Sequence, residues 1–139
     1  MTNLSYRTTA DELTEDQLTG DFFEGWLDPP PPEALLRILQ SSDHVVVAMR
    51  NDQVIGFVTA ISDDVLSAFI TLLEVVPEEQ DKGIGHSLIN QVLDEVGQIY
   101  MVDLVCDANL SRFYAELGFA ATTGMSRRDY AVQSGRPEQ

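Results

Sequence analysis

The chain has one cysteine, Cys106, and one lysine, Lys82. A lone cysteine closes no intrachain disulfide and offers no cluster of thiolates to a metal, which suits a reducing compartment. Positive charge is scarce throughout: 8 Lys and Arg stand against 23 Asp and Glu, a formal charge of −15 over 139 residues. Such a surface repels polyanions and attracts cations, so nucleic acid is a poor partner. No apolar run approaches the ~18 residues of a membrane helix. The opening MTNLSYRTTADELTED has no basic stretch followed by an apolar one, so no secretion signal is read there. The expectation is a cytoplasmic protein that engages neither membrane nor nucleic acid and holds no metal. The Lys-poor, acidic balance fits a salt-loving source and a bias in base composition equally well.

What is present is ordinary globular usage, with 44% hydrophobic and 22% charged residues. A chain of this size buries roughly 68–70% of its unfolded surface in one core. Residues 1–139 are therefore read as a single domain, with 133–139 as a loose polar tail.

The apolar pattern changes period along the chain. Leu4 to Arg7 suits an edge strand, and Thr9 with Glu12 makes a T-x-x-E capping box that predicts a helix. Phe22, Phe23 and Trp26 precede four prolines from Pro29, where a helix interior cannot form. Glu33 to Gln40 resumes a helical pattern. HVVVAM and VIGFVTAI, separated by Arg50 to Gln53, predict a hairpin, and LSAFITLLEVV extends it to a three-stranded meander ending at Pro77. After Gly83 the spacing of Ile84, Leu88, Ile89, Val92, Leu93 and Val96 predicts an amphipathic helix that Gly97 stops. Ile99 to Cys106 is nearly all apolar, as in a parallel strand covered on both faces. Leu110 to Leu117 predicts a short helix, and Phe119 to Ala121 and Arg128 to Val132 predict two last strands.

The most informative stretch is VVPEEQDKGIGHSL, where a strand stops, a loop brings Gln80, Gly83 and Gly85, and a helix begins at once. Helical first-turn amides lack intrahelical partners and carry partial positive charge, and glycines admit a phosphate close to them. The plainer reading is a turn that needs glycine for steric reasons. No GxxxxGK[ST] is present, and the preceding strand belongs to a meander rather than opening a dinucleotide βαβ unit.

Taken with DANLSRFYAELGF about 30 residues later, VVPEEQDKGIG resembles the acetyl-CoA-binding signature of the GCN5-related N-acetyltransferases, the GNAT superfamily, V-x-P-x-x-[QR]-x-x-G-x-[GA]. FYAELGF is similar to that family's FY-x-x-x-GF helix. The resemblance implies an α/β fold (an α+β mixed sheet) of about seven strands, largely antiparallel with a central parallel pair, and about four helices. It implies that Leu73, Glu74 and Val75 lie on a bulged strand that pairs with the pantetheine arm, and that Gln80, Asp81, Lys82, Gly83, Ile84, Gly85, His86 and Ser87 surround the pyrophosphate. Asp107 and Asn109 join the cofactor-binding set, although Asp107 stands where the family has Asn and Asn109 is two positions away from it.

The resemblance also implies that Tyr114 protonates the departing sulfur, as a phenol with an ordinary pKa of about 10 can do; the plainer reading is an aromatic anchor for its helix. Relatives often carry Glu or His further back on the strand, where this chain has Phe69 and Thr71, so the general base is open among Glu74, Asp103 and Asp107. Alternation sends Glu74 away from the face of Thr71 and Val75 unless a bulge intervenes. Phe22, Phe23 and Trp26 are read as core packing first and as an acceptor-pocket wall second. An aromatic wall on an acidic molecule suits a cationic amine with an apolar body. The expected activity is transfer of an acetyl group from acetyl-CoA to a primary amine, on a small molecule or peptide, in a ternary complex. A noncatalytic acyl-CoA-binding module and a structural dimer module using exposed sheet edges are the alternatives, and a homodimer is compatible with each.

Overall fold

The computed structural model describes residues 3–137. Five strands form one sheet in the order β1-β2-β3-β4-β5: β1 (Ser5–Arg7), β2 (His44–Arg50), β3 (Gln53–Ser62), β4 (Ser67–Val75) and β5 (Met101–Asp103). Every neighbouring pair is antiparallel except β4 and β5. Three α-helices accompany the sheet: α1 (Pro32–Ser41), α2 (Ile84–Val96) and α3 (Ser111–Ala115).

The meander follows from its turns. Asn51 and Asp52 both take positive φ, 55° and 60°, as the two central residues of a tight hairpin require. At the β3–β4 turn the Asp63 carboxylate accepts from the amides of Val65 and Leu66 at 2.8 Å and of Ser67 at 3.1 Å. Adjacent residues of β3 then face opposite layers. Phe57 meets the rings of Phe22 and Phe23, whereas a Cβ on Gly56 would stand 3.2 Å from Leu88 of α2. The core therefore lies on both faces of the sheet, with Phe57, Val58 and Leu88 fully buried.

Helix α1 starts with Pro32 at its first position and closes with the Ser42 amide and hydroxyl on the Ile38 carbonyl, 3.1 and 2.8 Å. Helix α2 buries Ile84, Leu88, Ile89, Val92 and Val96 against β2, β3 and β4, and ends at Gly97 with φ 83°.

Four expectations are corrected. Thr9 opens no helix: its hydroxyl accepts from the Asp11 amide, 3.2 Å, closing a local turn. The helical turn forms later as a 3₁₀ segment at Glu15–Leu18, where the Gln17 side chain accepts from the Thr14 amide, 3.0 Å. The strand expected from Ile99 to Cys106 shrinks to three residues, with Met101 and Asp103 exposed, because β4 flanks it on one side only. An unbroken apolar run does not distinguish a doubly covered strand from one at an open edge. Phe119 to Ala121 and Arg128 to Val132 form no strands: the first joins no ladder, and Tyr130–Val132 is a 3₁₀ turn capped by the Asp129 side chain on the Ala131 amide, 3.1 Å. Among the described residues the sheet thus has five strands rather than seven, and the α-helices number three rather than four. Past that turn, Gln133 accepts from the Asp28 amide, 2.8 Å, and Arg37 donates to the Arg136 carbonyl, 3.1 Å.

The Asp63 turn sets an acid limit. Amides of Leu66, Val65 and Ser67, in that order, hold its carboxyl down at about 2, against an ordinary 3.8. A depressed folded pKa contributes stability that is complete above the unfolded value and is lost as pH falls through the folded one. The melting-temperature difference between wild type and Asp63→Ala is therefore expected to be constant above pH ~5 and to shrink toward pH ~2; a pH series of thermal melts reads it.

Candidate functional site: a split between two parallel strands

The pairing of β4 with β5 lasts for three residue pairs, Ser67 with Met101, Ala68 with Val102 and Phe69 with Asp103. Beyond Phe69, β4 continues to Val75 on β3 alone, so one backbone edge of its second half is left without a strand. A bulge sits where the split opens. Thr59 faces Leu72 and Ala60 faces Ile70, which makes Thr71 the extra residue. The fully buried Thr59 satisfies the irregularity through hydroxyl contact with Thr71, 2.6 Å, and the Thr71 hydroxyl also donates to the Thr59 carbonyl, 3.2 Å.

The bulge resets which side chains face which layer. Leu73 and Val75 share the face of Val58 and Gly56, toward α2, whereas Glu74 pairs with Phe57 and faces the aromatic loop. There the Glu74 carboxylate accepts from the Phe23 amide at 2.8 Å. Phe23 holds φ 62°, a left-handed backbone that costs about 1–2 kcal/mol for a side chain with Cβ. Phe22 and Phe23 are buried against Phe57; Trp26, 38% exposed, lies against Phe23 with ring centroids 4.7 Å apart. The two phenylalanines are core residues, and Trp26 offers a partly open aromatic surface against Phe23. Burial pushes the Glu74 carboxyl up, the Phe23 amide pulls it partly back, and Glu24 adds to the rise.

At the end of β4, the segment Pro77–Glu79 makes one 3₁₀ turn and Gln80 donates its side-chain amide to the Val75 carbonyl, 3.0 Å. Asp81 and Gly83 both take positive φ, 62° and 83°, and α2 begins. Its first rung runs from the Ser87 amide to the Gly83 carbonyl, 3.1 Å, so the amides of Ile84, Gly85 and His86 precede the ladder at the positive end of the helix dipole. The two glycines of the motif serve different needs. Gly83 supplies the left-handed turn, whereas a Cβ on Gly85 would approach the Phe113 ring of α3 at 3.2 Å. Glu79 is buried and neutralised by Arg50 at 2.9 Å and Lys82 at 3.3 Å; Asp81 is exposed.

Helix α3 is fixed to this end of α2 by His86, whose ring meets Phe113 edge-on at 4.6 Å and whose Nε2 lies 3.6 Å from Glu116. Tyr114, also buried, stacks edge-on with Phe113 and Phe119. Burial first, then the charges of Cys106 and Glu74, push its phenol up to about 12. Tyr114 and Glu74 are therefore close enough for one to feel the other's charge, although they come from opposite sides of the split. Asp107 and Asn109 are exposed in the turn leading into α3, and Asp107 holds that turn through its carbonyl, which accepts from the Leu110 amide at 2.9 Å. Asp103 is likewise exposed.

The residues expected to hold a pantetheine and a diphosphate thus gather along one line: the free edge of Leu73–Val75, then the loop from Gln80, then the α2 amides. Sequence reasoning missed the Phe23 amide that fixes Glu74; only the glycine two residues later hints at a left-handed turn there.

The chain matches the family described as Acetyltransferase (GNAT) domain over residues 9–132. It superimposes with a TM-score of 0.94 on a crystal structure from Deinococcus radiodurans R1 provisionally assigned as an acetyltransferase, at 44% identity over 99% of this chain and 100% of the other. A GNAT-family protein of Streptococcus pneumoniae TIGR4 gives a TM-score of 0.73 at 26% identity, covering 91% and 98% of the two chains. An uncharacterized N-acetyltransferase, ycf52, of Porphyra purpurea is 27% identical over 100 residues, 68% of this chain; the match spans 58% of that curated relative's length. The chain belongs to the GNAT acetyltransferase family.

Gly85→Val tests the packing that joins the two helices. Driving a branched side chain into Phe113 is expected to cost about 1–3 kcal/mol and to shift α3. Chemical denaturation measures the loss, and near-ultraviolet circular dichroism reports the displaced Phe113 and Tyr114 rings.

Proposed function

We propose that this chain transfers an acetyl group from acetyl-CoA to a primary amine by direct attack in a ternary complex. The observation that carries the reading is the split of β4 from β5 after Phe69, which leaves a strand edge running straight to the unpaired amides of α2. A pantetheine carries amides that pair with such an edge as a strand would, and a diphosphate suits helix-end amides flanked by Gly83. No helix among the described residues is long and apolar enough to cross a membrane.

Acetyl-CoA supplies the activated thioester; the remaining work falls to the chain. Glu74 accepts the proton that an arriving ammonium must lose before its lone pair can attack. Its raised pKa makes it a better base than an ordinary carboxylate, and the Phe23 amide keeps it aimed. Tyr114 stays protonated throughout the neutral range. With its phenol near 12 and an alkyl thiol ordinarily near 8.5, full proton transfer to sulfur is uphill by several powers of ten. Tyr114 therefore steadies the departing sulfur as a hydrogen-bond donor rather than surrendering its proton. Trp26, 38% exposed and packed on Phe23, suits the apolar body of a cationic amine, and the net charge of −15 attracts such an acceptor.

Release of CoA across a panel of amines tests the reading, with acetyl-CoA affinity measured separately. Binding without release from any amine would favour an acyl-CoA-binding module, and failure to bind would sink both. Tyr114→Phe is expected to lower kcat by about 10- to 100-fold with little change in acetyl-CoA affinity, as loss of one hydrogen bond made chiefly in the transition state does.

Glu74→Gln separates activity from stability. The ionised form is the base, so wild-type kcat/KM should fall as pH drops through the raised Glu74 pKa, and the variant should be slower and lose that limb. The sign for stability is opposite. A carboxyl whose folded pKa lies above its unfolded value favours the folded state below the unfolded pKa and forfeits that contribution as pH rises through the folded one. Glu74→Gln is therefore expected to gain in melting temperature relative to wild type as pH rises from 4 to 7.

A further inference from the structure

Thr59 is fully buried, and among the described residues its hydroxyl has one partner, the Thr71 hydroxyl at 2.6 Å. A buried hydroxyl proton needs an acceptor, so Thr59 is the donor in that contact. The Thr71 proton is then left for the Thr59 carbonyl, 3.2 Å away. A hydroxyl carries one proton and two acceptor lone pairs. Thr71 therefore has its proton spent, one lone pair filled and one lone pair free. The residue is exposed, so that lone pair is open to a ligand. Together the two threonines present an oxygen that accepts and does not donate.

Its place in the fold narrows what it can meet. Phe57, Thr59 and Ile61 alternate onto one face of β3, the face of the Phe22 and Phe23 rings. Across the pairing, Glu74 stands opposite Phe57 and Phe69 opposite Ile61, and the hydroxyl of the extra residue Thr71 reaches Thr59 between them. Thr71 thus shares a face with Glu74, just beyond the point where β4 parts from β5. The Phe23 amide occupies one Glu74 oxygen at 2.8 Å, and the Phe69 ring, 37% exposed, flanks Thr71 on the other side. A thioester has no proton to donate, so it cannot use the free Thr71 lone pair. An ammonium has several, and it can use Thr71 and the Glu74 carboxylate at once.

We propose that the Thr71 hydroxyl accepts a hydrogen bond from the nitrogen of the acceptor amine, and that Thr59 is the positioning residue that holds this hydroxyl as an acceptor. The inference rests on the amine acetylation proposed above and adds a residue to it. An arriving ammonium gives one proton to Glu74 and keeps a second on Thr71. The nitrogen is therefore still held when its lone pair is freed, and the lone pair is directed away from Thr71. A hydroxyl free to rotate would offer its own proton to that lone pair and block the attack; the Thr59 lock prevents it.

Steady-state kinetics test the assignment, with phenethylamine as the first acceptor and otherwise the fastest amine of the panel, and with acetyl-CoA affinity measured by calorimetry. Thr71→Val keeps the branched shape and removes the oxygen. It should lower kcat/KM for the amine by about 10- to 100-fold, as loss of one hydrogen bond to a charged group does, with acetyl-CoA affinity kept. Thr71→Ser should restore most of the rate. Because Thr71→Val also strands the buried Thr59 hydroxyl and should melt lower, the double variant Thr59→Val with Thr71→Val is its counterpart. That variant should regain the melting temperature and not the rate. Thr59→Val alone should lose part of the rate, and adding it to Thr71→Val should cost no more, since Thr59 acts only through Thr71. Wild-type kcat/KM in Thr71→Val or in the double variant would overturn the assignment and leave the acetylation standing. So would a loss confined to acetyl-CoA affinity, or a Thr71→Ser enzyme as slow as Thr71→Val. A wild type that acetylates no amine would overturn the proposed function and this assignment with it.

Discussion

Three residue pairs decide the architecture of the site. If β4 and β5 stayed hydrogen-bonded beyond Phe69 and Asp103, the sheet would be continuous and Leu73 to Val75 would have no free edge to offer. The separation is stabilised from two sides. The Thr71 bulge bends β4 while satisfying the hydroxyl of the buried Thr59, and α3, held to α2 by His86 and Phe113, draws the chain after β5 away. Backbone that an ordinary sheet would pair is left, in this fold, as an open edge along the second half of β4.

Much of this was readable from residue order. The meander was set by β-branched runs and by Asn51-Asp52, whose side chains tolerate the left-handed turn. Helix α2 was set by its apolar spacing and its closing glycine, and the loop before it by VVPEEQDKGIG. What was not readable depends on neighbours remote in sequence. The run from Ile99 to Cys106 has the composition of a buried strand, but whether it is covered depends on the chain after Gly118. Thr9 and Glu12 fit a capping box as well as Thr14 and Gln17 do; a competing side-chain hydrogen bond at Asp11 decided between them. The orientation of Glu74 depended on a bulge, which no alternation of polar and apolar residues announces.

The electrostatics of the site differ from those of the surface. Around the glycine loop, Glu79 is withdrawn from solvent and shared by Arg50 and Lys82, which removes one negative charge from the loop's surroundings. On the other side of the split a carboxylate is kept partly desolvated, and so more basic, by the same aromatic cluster that completes the core. Neither effect follows from net charge.

Residue 23 is under opposed demands. Its backbone angle suits glycine or asparagine, whereas its position against Phe57 and Trp26 suits a large ring. Few replacements meet both, so mutational freedom around the aromatic wall passes to its exposed neighbours, above all Leu27, which is 97% exposed. Divergence within such a scaffold would fall on those exposed neighbours, while the residue whose amide meets the Glu74 carboxylate stays as it is.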